Sequence, residues 1–122
     1  MILEAPTFNF IDSVEVNGQA RFPWLPESLF DYYTWLAEVR FGIDFDSMDY
    51  REAVIDSTVP MLLFHGDDDE WIPVSLSDFI ASKRDKNLTY MRYENVGHVQ
   101  AWNADPELYI KTVSNFLTSL EK

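Results

Sequence analysis

Cysteine is absent from the 122 residues, so disulfides, thiol catalysis and thiolate metal sites are excluded. Glycine is scarce: Gly18, Gly42, Gly66 and Gly97 are the whole set, and none is followed two residues later by serine. A Gly-x-Ser-x-Gly turn, which raises a serine nucleophile between a strand and a helix, is therefore missing. Basic residues are few, nine against 21 acidic, and the net charge of −12 repels phosphate backbones and anionic membrane surfaces. Nucleic acid is not expected as a partner. No apolar run approaches the ~20 residues that a bilayer crossing demands, so no membrane span is expected either. The N-terminal Met1-Ile2-Leu3-Glu4-Ala5-Pro6 has no basic segment, no apolar core and no small-residue cleavage site of a targeting signal. Localisation is left open, with a soluble, cytoplasmic chain as the default.

What is present is a chain with 47% hydrophobic and 16% aromatic residues, too apolar for disorder and long enough to bury a core of its own. It is expected to be one domain or part of one. Met1–Pro6 looks like a short buried strand entered without a preceding turn, and this suggests a chain that starts inside a larger fold.

Residues 7–57 form an excursion before the next strand. Up to about Trp24 no period holds, and Gly18, with Pro6 before the stretch and Pro23 near its end, predicts a loop. Pro26-Glu27 opens a helix that runs to Phe41 and stops at Gly42, with Phe30, Tyr33, Ala37 and Phe41 on one face. A second short helix is expected between Asp44 and Ser57.

From Val59 to Phe64 the apolar residues are continuous, which fits a strand covered on both faces, with Pro60 at its start. Pro73 begins a helix with Leu76, Phe79 and Ile80 at helical spacing and Lys83, Arg84 and Lys86 near its C-terminal end. Asn87 marks a turn, and Leu88–Tyr93 has strand composition. Asp105-Pro106-Glu107 starts a last helix with Tyr109, Val113, Phe116, Leu117 and Leu120 on its buried stripe.

The alternation of strands and helices predicts an α/β fold with a three-stranded parallel sheet, joined by right-handed crossovers and flanked by helices. In such sheets ligands sit beyond the carboxyl ends of the strands. Asp67, Asp68, Asp69 and Glu70 follow the second strand, and His98 lies in the loop after the third, so both loops open on one edge. A histidine becomes an effective base near neutral pH when a carboxylate fixes its tautomer. Spacing alone does not choose among the four acids.

The motif His65-Gly66-x-x-Asp69 followed by Ile72-Pro73, together with Gly97-His98 before a closing helix, resembles the C-terminal portion of the α/β-hydrolase superfamily, its serine esterases, lipases and peptidases in particular. The resemblance covers nearly the whole chain. It implies that Asp69 is the catalytic acid and His98 the base, that Met1–Pro6 is the strand following the nucleophile's strand and helix, and that residues 7–57 form a lid-like excursion before the 58–122 core. It implies an ester, thioester or amide as the small-molecule substrate of an intact enzyme, without cofactor. The nucleophile elbow and both oxyanion-hole amides belong to a half of the fold that this sequence does not contain, so the chain by itself is expected to be inactive.

Each residue also has a plainer role to weigh. Asp67, Asp68 and Glu70 are expected to be a solvated acidic turn, and His65 a packed, hydrogen-bonded support for that turn. A hard cation is disfavoured, because the four acids are contiguous where a calcium loop needs alternating oxygens. The aromatics Phe8, Phe10, Phe22, Trp24, Phe30, Tyr32, Tyr33 and Trp35 could wall an apolar substrate pocket, but core packing is the expectation for any one of them. A non-catalytic assembly module is the alternative: the first strand would expose an unpaired edge to a second copy or to a separate N-terminal half.

Overall fold

The computed structural model describes residues 1–84 and 86–121. Three strands, β1 (Ile2–Glu4), β2 (Met61–Gly66) and β3 (Leu88–Tyr93), form a parallel sheet in the order β1-β2-β3. Ile2 pairs with Leu62, and Met61 to Gly66 pair in register with Leu88 to Tyr93. Every residue of β2 is buried. Alternation explains why its sequence is apolar without interruption. Leu62 and Phe64 face a core with Tyr93, Val96, Ala101 and Phe116, while Leu63 faces another with Phe8, Leu76 and Ile80. Each such side chain contributes about 1.5–3 kcal/mol on burial.

The segments covering these faces are α3 (Arg51–Asp56) and α4 (Val74–Lys83) on one side, and α5 (Ala101–Ala104) and α6 (Pro106–Leu120) on the other. Asp105 caps α6 by accepting from the Leu108 amide, with Pro106 in its first turn, as the sequence predicts. Its stripe is narrower than expected. Phe116 is buried and Tyr109 and Val113 pack beside it, but Leu117 and Leu120 are exposed because α6 meets the sheet along a single ridge. In α4, Leu76 and Ile80 are buried and Phe79 points outward. Arg84 is not a surface charge: it is buried, and its guanidinium donates to the carbonyls of Val54 and Val59, tying the end of α3 to the approach of β2.

The excursion departs most from expectation. The predicted loop up to Trp24 is largely a helix, α1 (Phe10–Arg21), capped by Asn9, whose side chain accepts from the Asp12 amide. Gly18 does not break it. A Cβ at Gly18 would overlap the Phe30 ring, so the glycine is what lets α1 and α2 (Glu27–Phe41) approach each other. Gly42 ends α2 in the left-handed region, as a C-terminal glycine should. The face expected on α2 is not buried: Phe30 and Ala37 are partly covered, whereas Tyr33 and Phe41 are 60% and 69% exposed. Asp44–Ser57 holds a 3₁₀ turn (Asp46–Met48) and then α3. Of the eight aromatics expected to favour core packing, Phe8 is buried and Phe30 partly so; the other six are exposed, some meeting edge-on, as Phe22 does Trp24, and Phe10 stacked on Phe45.

Candidate active site

Parallel pairing brings the ends of β2 and β3 to one edge, where the loops carrying Asp69 and His98 meet. Gly66 is the point of contact. A Cβ there would collide with the Val96 carbonyl, and that carbonyl also accepts from the Asp68 amide. The absence of a side chain at Gly66 thus lets the two loops close on each other.

Within this junction the Asp69 side chain is wholly enclosed and saturated with donors. Its Oδ1 accepts from the Trp71 amide at 2.8 Å and the Ile72 amide at 2.9 Å. Its Oδ2 lies 2.8 Å from His98 Nδ1. Burial pushes the Asp69 carboxyl up, but the Ile72 amide, His98 and the Trp71 amide outweigh it, and the carboxyl is held below its ordinary range. An ionised carboxylate only accepts, so His98 Nδ1 carries the proton it donates, and in the neutral ring Nε2 is then the bare nitrogen. The His98 side chain is 36% exposed and lines an open cleft of about 400 Å3 with Asp68, Trp71, Asn95, Gly97 and Gln100.

The loop carrying His98 is under backbone strain. Asn95 and Val99 have φ of 55° and 51°, and for a β-branched residue such as Val99 that region is unfavourable. Glu4 braces the far side, its Oε1 accepting from the Ala101 amide at 2.8 Å.

The other acids separate by role. Asp67 is not a free solvated acid: Oδ2 pairs with Arg92 at 3.0 Å and Oδ1 accepts from the Asn95 amide at 2.7 Å, which pins the His98 loop to the Asp69 loop. Asp68 and Glu70 are exposed, as expected. His65 is the packed support predicted for it, fully buried at the end of β2. Its partners on α4 and the turn, Ser77 and Ile72, lie 2.6 Å and 3.0 Å from its ring nitrogens. Sequence reasoning missed Asp67, Glu4 and Ser77 as bracing residues. For Ser77 a signal existed, a polar residue interrupting the buried stripe Leu76–Ile80.

A second, apolar cavity of about 360 Å3 lies between α1 and the acid loop, walled by Phe10, Val14, Gly18 and Ile72 and reaching Trp71. Trp71 therefore borders both spaces, and the Arg21 guanidinium stands 4.7 Å over its ring. Asn17 ties α1 to the same place by donating to the Trp71 carbonyl.

No protein-family model matches the sequence, and no curated protein does. Solved structures do. The esterase Pf2001 of Pyrococcus furiosus superposes in one crystal form with a TM-score of 0.64 at 19% identity, covering 97% of this chain and 43% of that one. A second crystal form gives 0.61 at 18% identity over 99% of this chain and 44% of the esterase. MGS-MChE2, an α/β hydrolase from a lagoon-sediment metagenome at Mar Chica, Morocco, gives 0.57 at 10% identity, covering 99% of this chain and 50% of that one. The fold is that of the C-terminal part of an α/β-hydrolase. The chain spans half or less of the length of these hydrolases. Among the described residues no helix is long and apolar enough to cross a membrane.

Proposed function

We propose that this chain supplies the acid and the base of a serine hydrolase that cleaves an ester, thioester or amide bond. The observation that carries the reading is the 2.8 Å contact of His98 Nδ1 with an enclosed Asp69 carboxylate, in a His98 side chain that is 36% exposed and lines an open cleft. In that arrangement His98 Nε2 takes the proton of a serine hydroxyl as it attacks the carbonyl carbon. Asp69 stabilises the imidazolium that forms, and the proton then passes to the leaving group. The serine and the oxyanion-hole donors come from the half of the fold that these 122 residues do not contain. The apolar cavity between α1 and Ile72 suits a modest, partly apolar group of the substrate.

The test is labelling with a fluorophosphonate probe. The 122-residue chain is expected to remain unlabelled, whereas a polypeptide that joins it to a Gly-x-Ser-x-Gly half should be labelled at the serine and lose labelling on His98→Ala. Stoichiometric labelling of the 122-residue chain, or labelling of the joined protein that is indifferent to His98, refutes the proposal.

A second reading, an assembly module without catalysis, draws on β1. This strand is hydrogen-bonded to β2 on one side and is at the edge of the sheet among the described residues. A free strand edge of this kind invites pairing with a second copy or a separate N-terminal half. A concentration-independent monomer in sedimentation would remove that reading.

A further inference from the structure

The Asp69 carboxylate has a second imidazole beside it. His65 Nε2 lies 3.3 Å from Asp69 Oδ2, the oxygen that His98 contacts, and 3.0 Å from the Ile72 carbonyl. Both neighbours of Nε2 only accept, the carboxylate because it is ionised and the carbonyl by nature. Nε2 must therefore carry a hydrogen. The other ring nitrogen, Nδ1, lies 2.6 Å from Ser77 Oγ, and a serine hydroxyl donates as readily as it accepts. In a neutral ring Nδ1 is bare, so Ser77 donates to it. Protonating Nδ1 would place a cation where, among the described residues, Ser77 is the one group turned to that nitrogen, in a side chain with no exposure to water. The direction of every hydrogen in the chain Ser77, His65, Asp69, His98 follows from these contacts.

We propose that His65 is a positioning residue for Asp69, held by Ser77 as the neutral Nε2–H tautomer, and that it turns Oδ2 toward His98. It acts in two ways. Nε2–H contacts Oδ2 directly, and by donating to the Ile72 carbonyl it also fixes the peptide plane next to the amide that feeds Oδ1. With Oδ1 held by Trp71 and Ile72 and Oδ2 flanked by two imidazoles, the carboxylate has one orientation. The inference rests on the reading of Asp69 and His98 as acid and base, because only then does the orientation of Oδ2 matter to a reaction.

The experiment is long-range proton–nitrogen NMR of the chain labelled at its two histidines, at a mildly alkaline pH where exposed imidazoles are neutral. In the wild-type chain His65 is expected to show a protonated Nε2 and a bare Nδ1, and His98 the opposite pattern. His65→Phe removes the donor, and His98 is expected to lose its Nδ1–H pattern in favour of the Nε2–H form that neutral imidazole prefers in water. His65→Gln keeps an N–H and is expected to restore the wild-type pattern, a rescue that bulk alone does not produce. Ser77→Ala, which deletes one oxygen and is the gentler change to the core, is expected to give a smaller loss in the same direction.

A protonated Nδ1 on His65 in the wild-type chain overturns the proposal without any variant. So does a His98 pattern that stays unchanged in both Ser77→Ala and His65→Phe. Asp69→Asn separates the two levels. If it leaves the His98 tautomer unmoved, the acid–base reading itself fails; if it shifts that tautomer while the His65 and Ser77 variants do not, only the positioning role fails.

Discussion

Removing the Asp69 carboxylate should destabilise the chain by an amount that its donors allow to be worked out. In Asp69→Ala the Trp71 and Ile72 amides and His98 Nδ1 all lose their acceptor. A hydrogen bond to a charged group contributes about 1.5–3 kcal/mol, but the Trp71 amide and His98 both reach water and recover most of their share. The Ile72 amide is less exposed and recovers little. The expected loss is then about 3 kcal/mol, a fall of roughly 10 °C in Tm for a domain of this size. Asp69→Asn keeps an oxygen toward both amides and gives up only the charge and the contact to His98, so about 1–2 kcal/mol is expected. Thermal and urea unfolding followed by far-ultraviolet circular dichroism measures both values. The pH dependence adds a signed check. The folded carboxyl is held below its ordinary value of 3.8, so the advantage of wild type over Asp69→Asn is complete above that pH and shrinks as pH falls through the folded-state value. The reasoning is refuted if Asn costs as much as Ala, or if the advantage of wild type is flat across the acid range.

The remaining predictions concern the frame around this pair. Gly66→Ala should cost about 3 kcal/mol, because the new Cβ meets the Val96 backbone and must push the His98 loop away; amide shifts concentrated at residues 94–99 would identify the cause. Val99→Asn should leave stability unchanged or raise it by up to about 1 kcal/mol, since Asn tolerates the φ of 51° better than a β-branched residue; a clear loss in urea unfolding would contradict that. Burial lowers the His65 pKa from its ordinary 6.5, so stability should begin to fall as pH drops below that value, and His65→Gln should flatten that part of the curve. Hydrogen bonding to Arg51 holds the Asp49 carboxyl at about 2, so wild type should exceed Asp49→Asn above pH 3.8 and lose the difference toward pH 2. Solvent screening at this third-exposed pair limits the difference to about 1 kcal/mol, and none at all would show that the pair is solvated.

Legibility in the sequence tracked how much of each segment is decided locally. The bounds of β3 and the start of α6 could be read because the signals, a run of strand formers and an Asp-Pro cap, lie within the segments themselves. For α1, which the structure shows capped by Asn9, Gly18 argued against a helix, and its justification is the Phe30 ring of another helix, twelve residues away. The exposure of the shared apolar face of α2 has a related reason. Apolar spacing says which residues share a face and nothing about whether a neighbour covers it, and here Tyr33 and Phe41 are left exposed.

At the site, the parallel order of the strands was enough to bring Asp69 and His98 to one edge, yet it could not distinguish Asp67 from Asp69. Both are buried or partly buried acids of one turn, and each contacts the His98 loop. The difference is in what they contact. Asp67 takes a backbone amide and an arginine, partners that hold the loop and have no proton to exchange near neutral pH. Asp69 takes its amides from its own turn and turns its remaining oxygen to an imidazole that can gain and lose a proton. One acid therefore fixes the distance between the loops and the other fixes the tautomer at the end of it. The two substitutions should part accordingly: Asp67→Asn should loosen Asn95 and the His98 loop while leaving the proton of His98 on Nδ1, and Asp69→Asn should move that proton while leaving the loops together.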